Sequence, residues 1–597
     1  MREPRPLGPR RAEVVPSGGV PRKLAVETAR DEVRSMAAQR AAASISFAAD
    51  RDWPAVRLSR EMGGVVSDSV PEAMVAPGVP KDVVITLTPR EPVSDPTLGI
   101  PVQVSAAGQP PHRLVTIGDS LFHGFQSGAV FHTDLSAPAI IAYELGWFDQ
   151  FRFPVYGGPG GLPVNIELLL RELEQRFGTR LDWWEVPMAL FRGRQWMDQV
   201  EDYWERGPGS VVPQLTAINH NLAIYGWDLR DTLDITAKVC VDQLRRPKDD
   251  LIHQIVENNS QRAALRVYPT APTAARSLTV FDAAAKLGAE GAGGAAEHGI
   301  ETLVVFLGAN NALPTVTQLK VVWSDVGYDN QNRKGAFTVW RPTHFIAELS
   351  EVAERVRSIS ARHVIWCTVP HVTIPPISRG VGPKIEPGSR YFPYYTRPWI
   401  SDRAFDPRRD PCITSQEARA VDSAIDQYND AIVEVVRAAR TDGHDWYAYD
   451  VAGLLDRLAQ RRYVDDPLAR PPWWQPYPLP PELRALTPVP DSRFLTGDGK
   501  GGRATGGLFS LDGVHPTTVG YGILAQELIR VMRRAGVEFR RPDGSVRPDP
   551  VIVDFTRLLR RDTLITRPPQ NLTSGLAIIG WADEALDIIN RTLPFRR

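Results

Sequence analysis

The chain has 597 residues, 43% of them hydrophobic and 23% charged, an ordinary globular composition with enough apolar side chains for a core, which excludes global disorder as the default. Its 69 Lys and Arg against 70 Asp and Glu leave a net charge of −1, so there is no general electrostatic reason to bind nucleic acid or an anionic membrane. Three widely spaced cysteines, Cys240, Cys367 and Cys412, form no disulfide framework and suit a reducing compartment. At roughly 150 residues per domain the length fits about four domains or one elaborated enzyme domain.

In chain order, residues 1–25 read as a flexible tail by their Pro, Gly and Arg content. Arg10-Arg11 is not followed by an apolar segment, and no run approaches the roughly 18 apolar residues of a membrane span. The expectation is a soluble, cytoplasmic protein with no membrane span. Leu24 to Ala49 is Ala-rich and predicts a helix. It opens an N-terminal extension over 26–110, in which Val83-Val84-Ile85-Thr86-Leu87 predicts a strand.

From residue 111 short apolar runs alternate with helical patterns: Leu114–Ile117, Leu222–Tyr225, Leu303–Leu307, Val364–Val369 and Trp446–Tyr449. Between the third and fourth, Phe345, Leu349, Val352 and Val356 recur at helix spacing. Between the fourth and fifth, Val421, Ile425, Tyr428, Ile432 and Val435 do the same. Apolar strands alternating with amphipathic helices predict an α/β fold with a parallel sheet. In such sheets the chemistry lies beyond the carboxyl ends of the strands. Two insertions, about 122–210 and 461–505, interrupt the rhythm with Trp183-Trp184, Trp196, Trp204 and Trp473-Trp474. Paired tryptophans stack on sugar rings or wall an acyl chain, or simply pack the insertions onto the sheet, the reading we favour.

After the first run comes Gly118-Asp119-Ser120-Leu121. A Ser directly after a strand end is a candidate nucleophile; the same residues also suit an Asp helix N-cap. A serine hydroxyl needs a base, and the base an orienting carboxylate. Two histidines follow an Asp by three positions, Asp250/His253 and Asp512/His515. The first pair lies in a helical, charged stretch. In the second, Gly513 and Pro516 make a loop that frees Asp512 to meet one ring nitrogen while the other faces Ser120, and it is preferred. An oxyanion needs donors: Gly226 ends the second run, with Gly157, Gly158, Gly160 and Gly161 as rivals, and Asn310 or Asn311 follows the third. His123 and His371 are further candidates to line the site.

These four blocks, Gly118-Asp119-Ser120-Leu121, Gly226, Gly308-Ala309-Asn310-Asn311 and Asp512-Gly513-Val514-His515-Pro516, resemble those of the GDSL, or SGNH, hydrolases. The resemblance covers roughly 113–535, within a catalytic domain over 111–535 followed by a C-terminal extension over 536–597. It implies a three-layer α/β/α sandwich with a mostly parallel sheet. It implies Ser120 as nucleophile, His515 as base and Asp512 as its orienter, with the Ser120 and Gly226 N–H groups and the Asn310 amide as the oxyanion hole. Asn311 departs from the family, where Asp usually follows the hole Asn, and the first two blocks lie farther apart than is usual. The implied reaction is ester hydrolysis through an acyl-serine, of the esterase, lipase or sugar-ester deacylase kind, on a small-molecule ester, with no metal and no cofactor. The alternatives are an acyltransferase using the same site and a binding protein on a hydrolase scaffold.

Overall fold

The computed structural model describes residues 70–572 except 105–107, 183, 245–255, 292–297 and 542. The predicted tail, the Leu24–Ala49 helix, the Asp250/His253 pair and Trp183 lie outside the described residues. Strand β1, His112–Gly118, leads into the four-residue helix α1, Ser120–His123. Helix α2, Ala137–Glu144, follows inside the expected first insertion, and α3, Val280–Ala289, comes after it. Then β2, Ile300–Phe306, α4, Pro342–Arg357, β3, Ala361–Cys367, α5, Ser415–Thr441, β4, Trp446–Tyr449, and α6, Val451–Leu458, continue the alternation. Helices α7, Thr518–Arg534, and α8, Phe555–Arg561, complete it.

The four strands form one all-parallel sheet in the order β1-β2-β3-β4. Gly118 is paired with Phe306, and Tyr449 with Cys367, so the strands end along a common edge. The run Leu222–Tyr225 borders β1 on its free side. Leu222 and Ile224 donate backbone N–H bonds to Thr116 and Gly118 at 2.8 and 3.0 Å, although only Asn221 is bridged to Thr116.

Alternation along each strand sends side chains to two apolar clusters. Ile117, Val305, Trp366 and Ala448 join the cluster that holds Phe281 of α3, Leu349 of α4 and Ile425 of α5. Leu114, Val304, Ile365 and Tyr447 join the one that holds Ile140 of α2, Leu454 of α6, Leu528 of α7 and Leu558 of α8. The repeats predicted from spacing, Phe345 to Val356 and Val421 to Val435, are buried on α4 and α5. A capping box starts α5: the Glu417 N–H bonds to Thr414 Oγ1, and the Thr414 N–H to Glu417 Oε2. Among the described residues no helix is long and apolar enough to cross a membrane.

The expected strand over Val83–Leu87 is not one. The segment has no regular secondary structure, and its N–H groups at Val84 and Thr86 meet the side chains of Gln427 and Ser423 on α5, at 3.4 and 3.2 Å. Its apolar run supplies the packing of Val83 and Ile85 on the core, and among the described residues no strand pairs with it to form a ladder.

Candidate active site

The common edge of the sheet gathers the loops that follow β1, β2, β3 and β4. At the end of β1 the chain turns at once into α1. Asp119 caps that helix, accepting the Leu121 N–H at 3.0 Å, so the expected cap forms without engaging the Ser120 hydroxyl. The cap fixes the turn, and Ser120 becomes the first helical residue, whose own N–H has no preceding carbonyl within the helix to receive it. Ser120 Oγ lies 2.8 Å from His515 Nε2, and His515 Nδ1 lies 3.1 Å from Asp512 Oδ2. All three are buried. An Nδ1–H directed at the carboxylate leaves Nε2 free to accept from the serine hydroxyl.

The loop between β-like and helical segments that carries Asp512 and His515 is tightly tied. Asp512 Oδ1 accepts the N–H groups of Val514 and His515, and Oδ2 accepts that of Gly128 at 3.0 Å. Gly513 adopts φ 68°, and a Cβ there would come within 2.8 Å of the Ile377 nitrogen, so the sharp turn needs glycine. Burial opposes the Asp512 charge, but the His515 imidazole and these N–H donors outweigh it and hold its pKa below the ordinary carboxylate value. Asp119 meets the opposite fate. Fully buried, with one carboxylate oxygen lacking any hydrogen bond, it is pushed up to about 7 by desolvation.

Ser120 and His515 share an apolar cavity of about 100 Å³ with Leu121, Leu454, Leu458 and Phe509. Gly226 and Asn310 instead line a neighbouring cavity with Trp227, Asp228, Asp231 and Lys334. The Asn310 amide donates to the Trp227 carbonyl at 2.8 Å, which joins the two loops. Gly226 lies two residues past Ile224, the neighbour of Gly118, and Asn310 follows Ala309, which lines the Ser120 cavity. Asn311 braces this arrangement: its side chain accepts the Leu229 N–H at 3.4 Å and its carbonyl the Trp340 N–H at 2.8 Å.

The rival glycines serve packing. Gly157 and Gly158 lie against Tyr203, and Gly161 accepts the Trp204 indole N–H at 2.6 Å. His123 is fully buried and lowered to about 3 by desolvation. Its Nδ1 accepts the Tyr225 N–H and its Nε2–H reaches the Tyr156 hydroxyl, which makes it a brace for the Gly226 loop. His371 does line the Ser120 cavity. Neither insertion contributes a residue to that cavity among the described residues: Trp204 and Trp474 are buried by packing, and Trp184 is exposed.

Sequence reasoning missed the Gly128 N–H on Asp512, which only a Ser-Gly turn signals, and the perturbed acidity of Asp119, which burial alone creates. Compared with the models of protein families, with curated proteins and with solved structures, the chain matches none.

Proposed function

We propose that this chain is a serine hydrolase of the SGNH type, with the three-layer α/β/α arrangement of that family, that cleaves small-molecule carboxylic esters through an acyl-Ser120 intermediate. The observation that carries the reading is the continuous Ser120–His515–Asp512 hydrogen-bond chain, at 2.8 and 3.1 Å, opening onto an apolar cavity. Strand side chains directed into two helix-bearing clusters support the layering.

In the proposed cycle His515 Nε2 takes the Ser120 proton as Oγ attacks the ester carbonyl. Asp512, anionic at neutral pH, stabilises the imidazolium. The Ser120 N–H, the Gly226 N–H and the second N–H of the Asn310 amide are the donors assigned to the oxyanion. His515 then protonates the leaving alcohol and activates water to release the acid.

The test is hydrolysis of p-nitrophenyl esters of increasing acyl length. Ser120→Ala is expected to abolish turnover while leaving the melting temperature close to that of the wild type. Each added CH2 is expected to raise kcat/KM about fourfold, the equivalent of about 0.8 kcal/mol of burial, until the cavity is full. Equal activity in the wild type and Ser120→Ala would overturn the assignment.

A further inference from the structure

Beyond β3, the loop that passes His371 builds a second cavity, of about 240 Å³, on its far side. Five arginines line it, Arg379, Arg390, Arg461, Arg462 and Arg493, together with the buried Ser378, and no carboxylate does. Three of the arginines have acidic partners that are not among the lining residues. Arg379 pairs with Asp402, Arg462 with Asp422 at 2.8 Å, and Arg493 with Asp465 and Asp491 at 2.8 Å each.

The other two feel carboxylate charge only beyond ion-pair distance, Arg390 from Asp422 and Arg461 from Asp402 and Asp465. Among the described residues neither Arg390 nor Arg461 forms an ion pair with a carboxylate. Arg390 is only 5% exposed, and its Nη1 has no hydrogen-bond partner; nor has Ser378 Oγ, at 2% exposure. Arg461 donates to the Gly380 carbonyl at 2.9 Å and lies over the Phe392 ring. Burial and the nearby Arg379 charge push its pKa below the ordinary guanidinium value against the opposing Asp402 and Asp465, whereas despite burial Tyr391, Tyr463 and Asp422 hold that of Arg390 above it. A buried guanidinium without an anion is strongly unfavourable. Its planar fork of donors matches the geometry of tetrahedral and carboxylate oxyanions.

We propose that this cavity is a binding site for a phosphate-type oxyanion, supplied either as inorganic phosphate or as the monoester end of an organic molecule. Arg390 and Arg461 provide the charge, and Ser378 and the free Arg390 Nη1 the unmatched donors. The site is separate from the serine, yet one loop joins them. Thr373 lines the arginine cavity, His371 and Val372 line that of Ser120, and the Ile377 N–H bonds to the Gly513 carbonyl at 2.9 Å.

Titration calorimetry of the full chain at low ionic strength, with sodium phosphate and separately with phenyl phosphate, tests this. One saturable equivalent is expected, with a Kd below about 1 mM. Arg390→Gln and Arg461→Gln are each expected to weaken it by at least about tenfold, and Ser120→Ala to leave it unchanged. Tighter binding of phenyl phosphate assigns the organic source, and tighter binding of phosphate the free ion. Should Arg390→Gln fail to fold, the half-buried Arg461→Gln carries the test alone, and phosphate is expected to raise the melting temperature of the wild type but not of that variant. Absence of saturable binding of either probe up to about 10 mM, or wild-type affinity in the folded variants, would overturn the proposal.

Discussion

Two neighbouring acids at the site show how burial and hydrogen bonding divide one chemistry into two roles. Asp512 receives three backbone N–H groups and the His515 ring, and stays charged. Asp119 receives one N–H and is otherwise sealed, so its pKa rises to about 7. An acid whose folded pKa is raised holds its proton between its ordinary value of 3.8 and about 7, while the unfolded chain has lost it. Folding stability therefore falls across that window as pH rises. Asp119→Asn keeps an acceptor for Leu121 and removes the titration. The variant is expected to gain stability over the wild type from pH 4 to 7, read from urea unfolding at each pH. A constant difference across that range would show that Asp119 is ionised in the fold. Asp512→Asn presents His515 with a donor where it needs an acceptor. It is expected to lower kcat by several powers of ten, on the order of 10⁴, at little change in KM. Retention of kcat within tenfold would remove Asp512 from the proposed mechanism. Ser120, His515 and Asp512 were legible in the sequence because their chemistry sits beside turn residues, Gly118, Gly513 and Pro516, that announce strand-end loops. The acidity of Asp119 was not, because it depends on what covers the carboxylate.

At the scale of elements, the loop after β3 binds the sheet edge to α5 and α6. His371, 1% exposed, has Nε2 3.1 Å from Asp426 and Nδ1 3.5 Å from Asp456, and Arg462 pairs with Asp422 close by. Burial alone would depress the imidazole, but Asp422, Asp426 and Asp456 hold its pKa up to about 10. Its proton is thus retained in the fold well above the ordinary value of 6.5. The stabilisation is complete below pH 6.5 and is lost as pH rises towards 10, on the order of a few kcal/mol in all. Unfolding free energies of the wild type are expected to decline over that range more steeply than those of His371→Gln; parallel slopes would refute the charged imidazole. The helices here were legible, since Val421 to Val435 repeats at helix spacing on the buried face of α5. The Val83–Leu87 segment was misread because an apolar β-branched run looks the same whether its N–H groups meet a strand or the side chains of a helix. The arginine cavity was invisible because its residues come from three separate stretches of chain, with only Arg461-Arg462 adjacent.

At the scale of the molecule, the segments on either side of the expected catalytic core are built into it. From the N-terminal side, Asp82 pairs with Arg341 at 2.8 Å, Arg90 with Asp430 at 3.0 Å, and the Val93 N–H meets Asp450 at 2.6 Å. Asp450 in turn caps α6, which walls the Ser120 cavity. From the C-terminal side, Phe539, Val551, Val553, Phe555 and Leu558 are buried in the cluster that also holds α7, and Arg561 pairs with Asp134 at 2.7 Å. Sequence periodicity is local and has no means of showing that such flanking runs complete a distant core. Each fully buried large apolar side chain contributes about 1.5–3 kcal/mol, and a domain's whole stability is only about 5–15 kcal/mol. Losing the C-terminal flank, with its five buried side chains, removes a comparable amount, and losing the N-terminal flank removes the smaller contribution of the buried Val83 and its polar contacts as well. A chain cut to residues 111–535 is therefore expected to be unfolded or aggregated at 25 °C, whereas one cut to 70–572 retains a cooperative melt. Thermal unfolding followed by circular dichroism distinguishes the two, and a 111–535 chain that melts at the full-length temperature would show that the flanks only decorate an independently stable core.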